Sequence, residues 1–305
     1  MIHIDKCLIC NGNDFKLVTD RGHFFSGEKA LFCTACGFVF LSPRMTPDEL
    51  RVFYSSNRFS KEFRGSESPS QEMIAYRNKR AERRFRLLSN HLNNLTKGSV
   101  LEIGCSSGNF LNMLNSERYT VYGIDPSKGF AEYAKKEYGL NVVAGMYPDD
   151  MPENISMPFA AVFAFQVLEH TTNPGHILKT IFQQLDEDGF LFLEIPDLER
   201  ATKVRKYLYP GYFQKSHLWD FGRSTATMLL KTCGFSVCDY FYDNESPYDK
   251  NTLIVARKQV ERLADDSAQS LGSVAALNFY RLLKFKLFLG KMLRPFMVRL
   301  RNKEE

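Results

Sequence analysis

Two rhythms of apolar and polar positions divide this chain. From Ser99 onward, short apolar runs recur: "VLEI" (100–103), "TVYGI" (120–124), "LNVVA" (140–144), "AAVFAF" (160–165) and "GFLFLEI" (189–195). Stretches with helical spacing separate them over 108–115, 128–137 and 174–185, and another covers 224–232. Strands alternating with helices predict an α/β fold, a parallel sheet with helices on both faces. "FSVCDYFY" (235–242) and "NTLIVAR" (251–257) close the series with only "DNESPYDK" between them. A link that short cannot hold a crossover helix, so it predicts an antiparallel hairpin at the sheet edge.

Before Ser99 the pattern differs. Strand-like pieces such as "FKLV" and "FVFL" lie among "CLICNG" and "CTACGF" in residues 1–42. Residues 47–96 have helical spacing, including the charged run "YRNKRAERRFRLL", and "SESPS" interrupts them as a loop. The boundaries expected are therefore 1–42, a cysteine-bearing module; 43–97, a helical linker or cap; 98–258, the sheet domain; and 259–305, a tail.

Composition alters this picture only in places. The 305 residues are 44% hydrophobic and 25% charged, the balance of a globular protein with room for a large core. No uninterrupted apolar run reaches the ~18 residues of a membrane span, and "MIHIDKCLIC" has no apolar stretch of a secretory signal. The net charge of +5 is unevenly placed. From Arg281 onward, Arg281, Lys284, Lys286, Lys291, Arg294, Arg299, Arg301 and Lys303 face only Glu304 and Glu305, so residues 1–280 are nearly neutral. That argues against a nucleic-acid surface spread over the fold.

Seven cysteines, an odd number without a signal, point to a reducing, cytoplasmic setting. Cys7 and Cys10, then Cys33 and Cys36, form two C-x-x-C pairs, each trailed by glycine within two residues. Such pairs make tight turns whose thiolates suit tetrahedral Zn2+, and four thiolates leave no position for water. The expected metal is therefore structural zinc in a small N-terminal zinc ribbon, not a catalytic one. Zinc ribbons also bind nucleic acid, but Asp5, Asp14, Asp20 and Glu28 balance the basic residues of this one.

The turn after "VLEI" admits two chemistries. Gly104-Cys105-Ser106-Ser107-Gly108 satisfies G-x-S-x-G, the nucleophile elbow of a hydrolase. That elbow needs an established sheet before it, and none is evident here; His217 could complete a triad, but nothing around it marks the role. The other chemistry is a cofactor cradle. Glu102 ends an apolar strand, Gly104 and Gly108 let the backbone turn closely past a ligand, and Asp125 ends the next strand, where an acid bonds ribose hydroxyls. Glu102 so close to the turn suits a cationic ligand better than a pyrophosphate, because carboxylate repels phosphate.

With these residues in place, the stretch 98–258 resembles a class I S-adenosylmethionine-dependent methyltransferase. "VLEIGCSSGNFL" is similar to that family's first motif, although Ser106 stands where glycine is usual, and "VYGIDPS" to its second. "AGMYPDDMP" occupies the adenine-contact region, and "FAFQVLEHTTNP" is similar to the fourth-strand motif. The resemblance implies a Rossmann-like seven-stranded methyltransferase sheet. It places Glu102 and the turn of Gly104, Ser106 and Gly108 beside the methionine part of the cofactor. Asp125 would take the ribose diol and Pro126 would lie beside adenine. Met146, where the family often has Asp, implies recognition by packing and backbone. Gln166 would lie near the methyl donor, with Glu169 and His170 at the pocket floor.

A four-cysteine module ahead of such a core is similar to sugar methyltransferases acting on nucleotide-linked deoxysugars or surface polysaccharides. The acceptor this implies is a small molecule, a sugar or glycolipid in polysaccharide or natural-product biosynthesis. Relatives that methylate carbon often carry His-Glu-His where this chain has Lys215-Ser216-His217, and the missing acid tells against carbon methylation without choosing between oxygen and nitrogen. The alternatives at this level are C-methylation, RNA methylation using the ribbon, the hydrolase, and a binding protein without catalysis.

Methyl transfer to a hydroxyl needs aligned reactants and a base near neutral pH, which imidazole provides. His217 and His170 are the candidates; each could instead cap a helix or bond a carbonyl. The aromatic run "YLYPGYFQKSHLW" (207–219) could stack on a sugar or an isoprenoid, or cover the sheet edge. The tail "NFYRLLKFKLFLGKMLRPFMVRLR" (278–301) mixes apolar residues and cations, as peripheral helices on the inner face of a membrane do. A helix docked on its own domain or on a second subunit of a homodimer is the competing expectation. The number of cations tips the balance slightly to the membrane.

Overall fold

The computed structural model describes residues 1–56, 58–115, 118–206, 208–242, 250–259 and 273–301. Strands β1 (Phe15–Thr19), β2 (Lys29–Cys33) and β3 (Val39–Ser42) form an antiparallel meander carrying the cysteine turns. Three helices follow: α1 (Pro47–Ser55), α2 (Arg58–Arg64) and α3 (Gln71–Asn93). Thr46 and Glu49 make a reciprocal capping box at the start of α1, with Pro47 already set at a helical φ. Ser70, the last residue of "SESPS", accepts the Met73 N–H and starts α3. Ile74, Ala81, Leu88 and Leu92 recur at helical spacing and form the buried stripe of α3.

The main domain runs β4 (Gly98–Ile103), α4 (Asn109–Leu114), β5 (Tyr119–Asp125), α5 (Lys128–Tyr138), β6 (Asn141–Ala144), β7 (Phe159–Phe165), α6 (Pro174–Gln184) and β8 (Leu185–Pro196). After these come α7 (Leu198–Val204), β9 (Trp219–Asp220), α8 (Arg223–Thr232), β10 (Phe235–Tyr242), β11 (Asn251–Lys258) and α9 (Ser273–Arg301). The seven-stranded sheet has the order β10-β11-β8-β7-β4-β5-β6. Strands β4 to β8 pair in parallel, and β11 inserts antiparallel between β8 and β10. This is the expected hairpin; its link, 243–250, lies almost wholly outside the described residues. Every residue of β7 is buried, as a central parallel strand covered on both faces requires.

The order places β4 between β5 and β7. The chain leaves β4 toward β5 and β6, then returns to β7 on the other side, so a crevice opens at the carboxyl ends of β4, β5 and β7.

The ribbon and the tail are both tied to the main domain. The strand β9, drawn from the segment after α7, adds to the ribbon sheet beside β3. The described part of the tail docks on the protein. Ala276, Leu283 and Leu287 are buried against a cluster containing Phe32 of the ribbon and Leu198 and Ala201 of α7. Two of the cations that suggested a membrane bond the protein itself. Lys284 Nζ donates to the Val18 carbonyl at 3.2 Å and Lys286 Nζ to the Arg205 carbonyl at 2.7 Å. The side chains of 294–305 lie outside the described residues, including Arg294, Arg299, Arg301 and Lys303. Among the described residues, no helix is long and apolar enough to cross a membrane.

Candidate active site

A cavity of about 560 Å³ fills the crevice, within the range that holds a cofactor and a small ligand. Glu102, Gly104 and Ser106 line it from the end of β4, Asp125 and Pro126 from β5, Met146 from beyond β6, and Gln166 and His170 from beyond β7. Gly108 and His217 are not among the lining residues.

The turn after β4 is held in left-handed backbone: φ is 70° at Gly104, 53° at Ser106 and 72° at Gly108. A side chain at Gly104 would strike Val167 at 2.7 Å; one at Gly108 would lie 2.7 Å from Leu140 and 2.9 Å from Ala134. Gly108 therefore allows close packing against α5, and it is not among the residues that line the cavity. Ser106, a serine in a conformation that favours glycine, is fixed by its neighbours. Its N–H donates to Asp125 Oδ2 at 2.9 Å, while Oδ1 accepts from Ser127 N at 2.8 Å. Asp125 thus joins the turns after β4 and β5 before any ligand arrives.

The carboxyl of Glu102 is buried, its Oε2 has no hydrogen-bond partner, and burial pushes it up to about 8 against the pull of Arg84. Ser106 Oγ is likewise buried without a partner. Unpaired buried polar atoms beside a cavity are expensive unless a ligand completes them. An ammonium group would restore the carboxylate and satisfy it, so the residues fit the amino-acid end of S-adenosylmethionine. Met146 contributes less than expected: its N–H donates to Asp150 Oδ2 at 2.8 Å and its carbonyl accepts from Asp150 N at 2.9 Å. Its backbone is therefore occupied, and packing by the side chain remains.

Glu194 lies behind Gln166 and went unmarked in the sequence reading. It is fully buried, receives Arg80 at 3.0 Å and Arg84 at 2.5 Å, and accepts from Gln166 Nε2 at 3.1 Å and Asn251 Nδ2 at 2.9 Å. Burial alone would push its carboxyl up, but Arg84 and Arg80 hold it down at about 2. With Arg77, these arginines make α3 a wall of the cavity, not a linker. Their spacing of three and then four residues puts all three on one helix face, and that was the available signal.

His170 lines the cavity, packed edge-on against Tyr54, Phe59 and His217. Its Nδ1 meets the Ser216 carbonyl at 2.8 Å. His217 sits behind it, buried, with Nε2 2.6 Å from the Gln214 amide nitrogen; burial and then His170 hold its imidazole well below the usual range. The base expected at His217 therefore does not reach the cavity directly. Burial raises the neighbouring Glu169 to about 8, and neither of its carboxylate oxygens has a hydrogen-bond partner.

The four cysteines converge in the ribbon, their sulfurs all within 4.8 Å of one another, with Cys7–Cys36 and Cys10–Cys33 both at 3.5 Å. Zinc–sulfur bonds of ~2.3 Å place tetrahedral sulfurs roughly 3.8 Å apart, so the cluster has the dimensions of such a site.

A family model described as a methyltransferase domain matches residues 73–239, more than half of the chain. The chain belongs to that family. This methyltransferase is 30% identical over 166 residues to the tRNA U34 carboxymethyltransferase of Hahella chejuensis (strain KCTC 2396), covering 51% of this chain and 50% of the relative. Its identity to the enzyme of the same name from Shewanella sp. (strain ANA-3) is 29% over 163 residues, 52% of this chain and 49% of that one. The methyltransferase thus spans about half the length of the curated relatives it matches. Among solved structures, it is similar to Burkholderia thailandensis 1,6-didemethyltoxoflavin-N1-methyltransferase with bound 1,6-didemethyltoxoflavin and S-adenosylhomocysteine. The TM-score is 0.55 and the identity 15%, over 79% of this chain and 100% of that one, which shows the fold. The family match agrees with the methyltransferase expectation and not with the elbow hydrolase.

Proposed function

We propose that the enzyme methylates a hydroxyl of a sugar or glycolipid. The observation that carries this reading is the polar cluster of Glu169, His170 and His217, which meets the cavity through His170, with aromatic Tyr54 and Phe59 beside it. Aromatic faces suit the C–H surface of a sugar ring, and the cluster suits a hydroxyl that must give up its proton. Glu102, Gly104, Ser106, Asp125, Pro126, Met146 and Gln166 hold the cofactor; Glu194 and the arginines of α3 fix Gln166 and the wall. When bound, S-adenosylmethionine supplies an electrophilic methyl group on a sulfonium. His170 meets the acceptor, and His217 and Glu169 act through it.

The four cysteines hold structural zinc, and its effect reaches the site through β9. Leu218 N donates to the Glu169 carbonyl at 2.8 Å, the Leu41 N–H of the ribbon donates to Leu218 O at 3.0 Å, and Lys215 pairs with ribbon Glu28 at 2.9 Å. The ribbon therefore braces the segment that carries His217. Residues 1–42 and 98–258 stand as the zinc and catalytic modules in a cytoplasmic enzyme.

RNA is the second reading, favoured by the names of the curated relatives, whose similarity covers only half of each. The deciding experiment is transfer of labelled methyl to a panel of nucleotide-sugars, glycolipids and bulk tRNA. Label in the sugar classes is expected; label confined to tRNA would overturn the proposal.

A further inference from the structure

We propose that Glu169, His170 and His217 form a second metal site, distinct from the four cysteines, which takes a first-row divalent cation at the acceptor end of the cavity. This inference rests on the hydroxyl-acceptor reading and deepens it by naming what activates the acceptor.

The three residues offer one carboxylate oxygen and two imidazole nitrogens, all within 4.8 Å of one another. Bonds of about 2.1 Å place ligand atoms up to ~4.2 Å apart, so an ion would draw these side chains in by roughly half an ångström. Glu169 is 1% exposed, and both of its carboxylate oxygens are buried without a hydrogen-bond partner. A carboxyl group buried in that way is rare unless a ligand completes it.

His170 is oriented as a metal ligand usually is, donating through one ring nitrogen to a fixed acceptor. The Ser216 carbonyl can only accept, so Nδ1 of His170 carries the proton and Nε2 is the nitrogen that would ligate. The Gln214 amide nitrogen can only donate, so Nε2 of His217 accepts from it, and an ion would bind this imidazole by displacing that donor. Around them, Asp220 Oδ2, Ser216 Oγ and Tyr212 Oη are also buried without partners. The charged groups facing Glu169 are Asp220, Glu194 and Lys250, and Glu194 is already paired with Arg80 and Arg84.

A mixed imidazole and carboxylate set suits Zn2+, Mn2+ or Fe2+ better than Ca2+. With three protein ligands the site keeps positions open, and His170 puts them on the cavity wall. A sugar diol presents two neighbouring oxygens to such an ion, which lowers the pKa of a hydroxyl it touches. His170 and His217 would then be ligands, and the ion would do the acidifying.

Mn2+ separates this site from the ribbon, because thiolates select softer ions. The zinc-loaded full chain is titrated with Mn2+ and the free ion followed by electron paramagnetic resonance. One saturable site is expected, weakened tenfold or more in Glu169→Gln and in His217→Gln, and emptied by stoichiometric Zn2+. Both variants should bind S-adenosylhomocysteine as the wild type does. Absence of saturable Mn2+ binding by the wild type, or equal binding by folded variants, overturns the metal site. Should the variants lose S-adenosylhomocysteine binding through misfolding, the wild-type titration decides alone. Sugar methylation by a protein that binds no Mn2+ would refute this inference and leave the proposed function standing.

Discussion

Glu194→Gln is the most informative single perturbation of the cavity wall. The substitution keeps the shape of the side chain and removes the charge that Arg80, Arg84, Gln166 and Asn251 share. Arg84 stays positive, since a guanidinium does not deprotonate, and its side chain is only 12% exposed. Removing one partner of a buried pair leaves an uncompensated charge and costs about 3–5 kcal/mol. The pH route gives a similar size. The Glu194 carboxyl falls from an ordinary 4.5 to about 2 on folding, and about 1.4 kcal/mol per unit makes that roughly 3 kcal/mol. A depressed carboxyl stabilises the fold above the unfolded value, so this contribution is complete above about 4.5 and is lost as pH falls toward 2. Thermal melting at pH 7 should therefore drop by roughly 6–10 °C in the variant. Between pH 5 and pH 3 the variant should lose less stability than the wild type, because the titrating group is gone. Affinity for S-adenosylhomocysteine should fall about tenfold, because Gln166 and the arginine wall lose their anchor. Melting within 1 °C of wild type at pH 7 would refute the view that Glu194 is the charge hub of the wall.

Three further outcomes follow from other parts of the site. Ser106→Gly should stabilise the apoprotein by about 1 kcal/mol in chemical denaturation, because the φ of 53° strains an L-residue and Oγ is unpaired; a loss of stability would show that the hydroxyl supports the turn. His170→Ala should leave the S-adenosylhomocysteine dissociation constant within about twofold and lower kcat by about a hundredfold; an unchanged kcat would remove His170 from acceptor activation. Cys36→Ser should release the zinc, measured by plasma mass spectrometry, and lower kcat more than cofactor affinity, because β3 and β9 tie the ribbon to His217; equal loss of both would contradict that coupling.

The alternation of apolar strands and helices made the sheet legible, including the β10–β11 hairpin, because local periodicity and link length decide those features. The turn that lines the cavity was legible for a related reason: Gly104, Asp125 and Glu102 stand where their own strands end. The parts that stayed hidden depend on distant pairing. Nothing near Trp219 announces that it will join a sheet begun two hundred residues earlier. Glu194 reads as one polar residue in an apolar strand until α3 brings Arg80 and Arg84 over it. His217 lies inside the aromatic run 207–219, yet its depth behind His170 is set by the ribbon and β9. The tail shows the opposite error: its cations were counted correctly, but Lys284 and Lys286 answer to carbonyls that only folding brings near.

The central claim is that the crevice between β4, β5 and β7 holds S-adenosylmethionine through the turn that Asp125 locks. Calorimetric titration of the zinc-loaded protein with S-adenosylhomocysteine tests it most directly, with Asp125→Ala as the comparison. The account predicts saturable one-to-one binding by the wild type and at least tenfold weaker binding by the variant. A well-folded wild type that binds no S-adenosylhomocysteine, or an Asp125→Ala variant that binds it equally, would contradict the account.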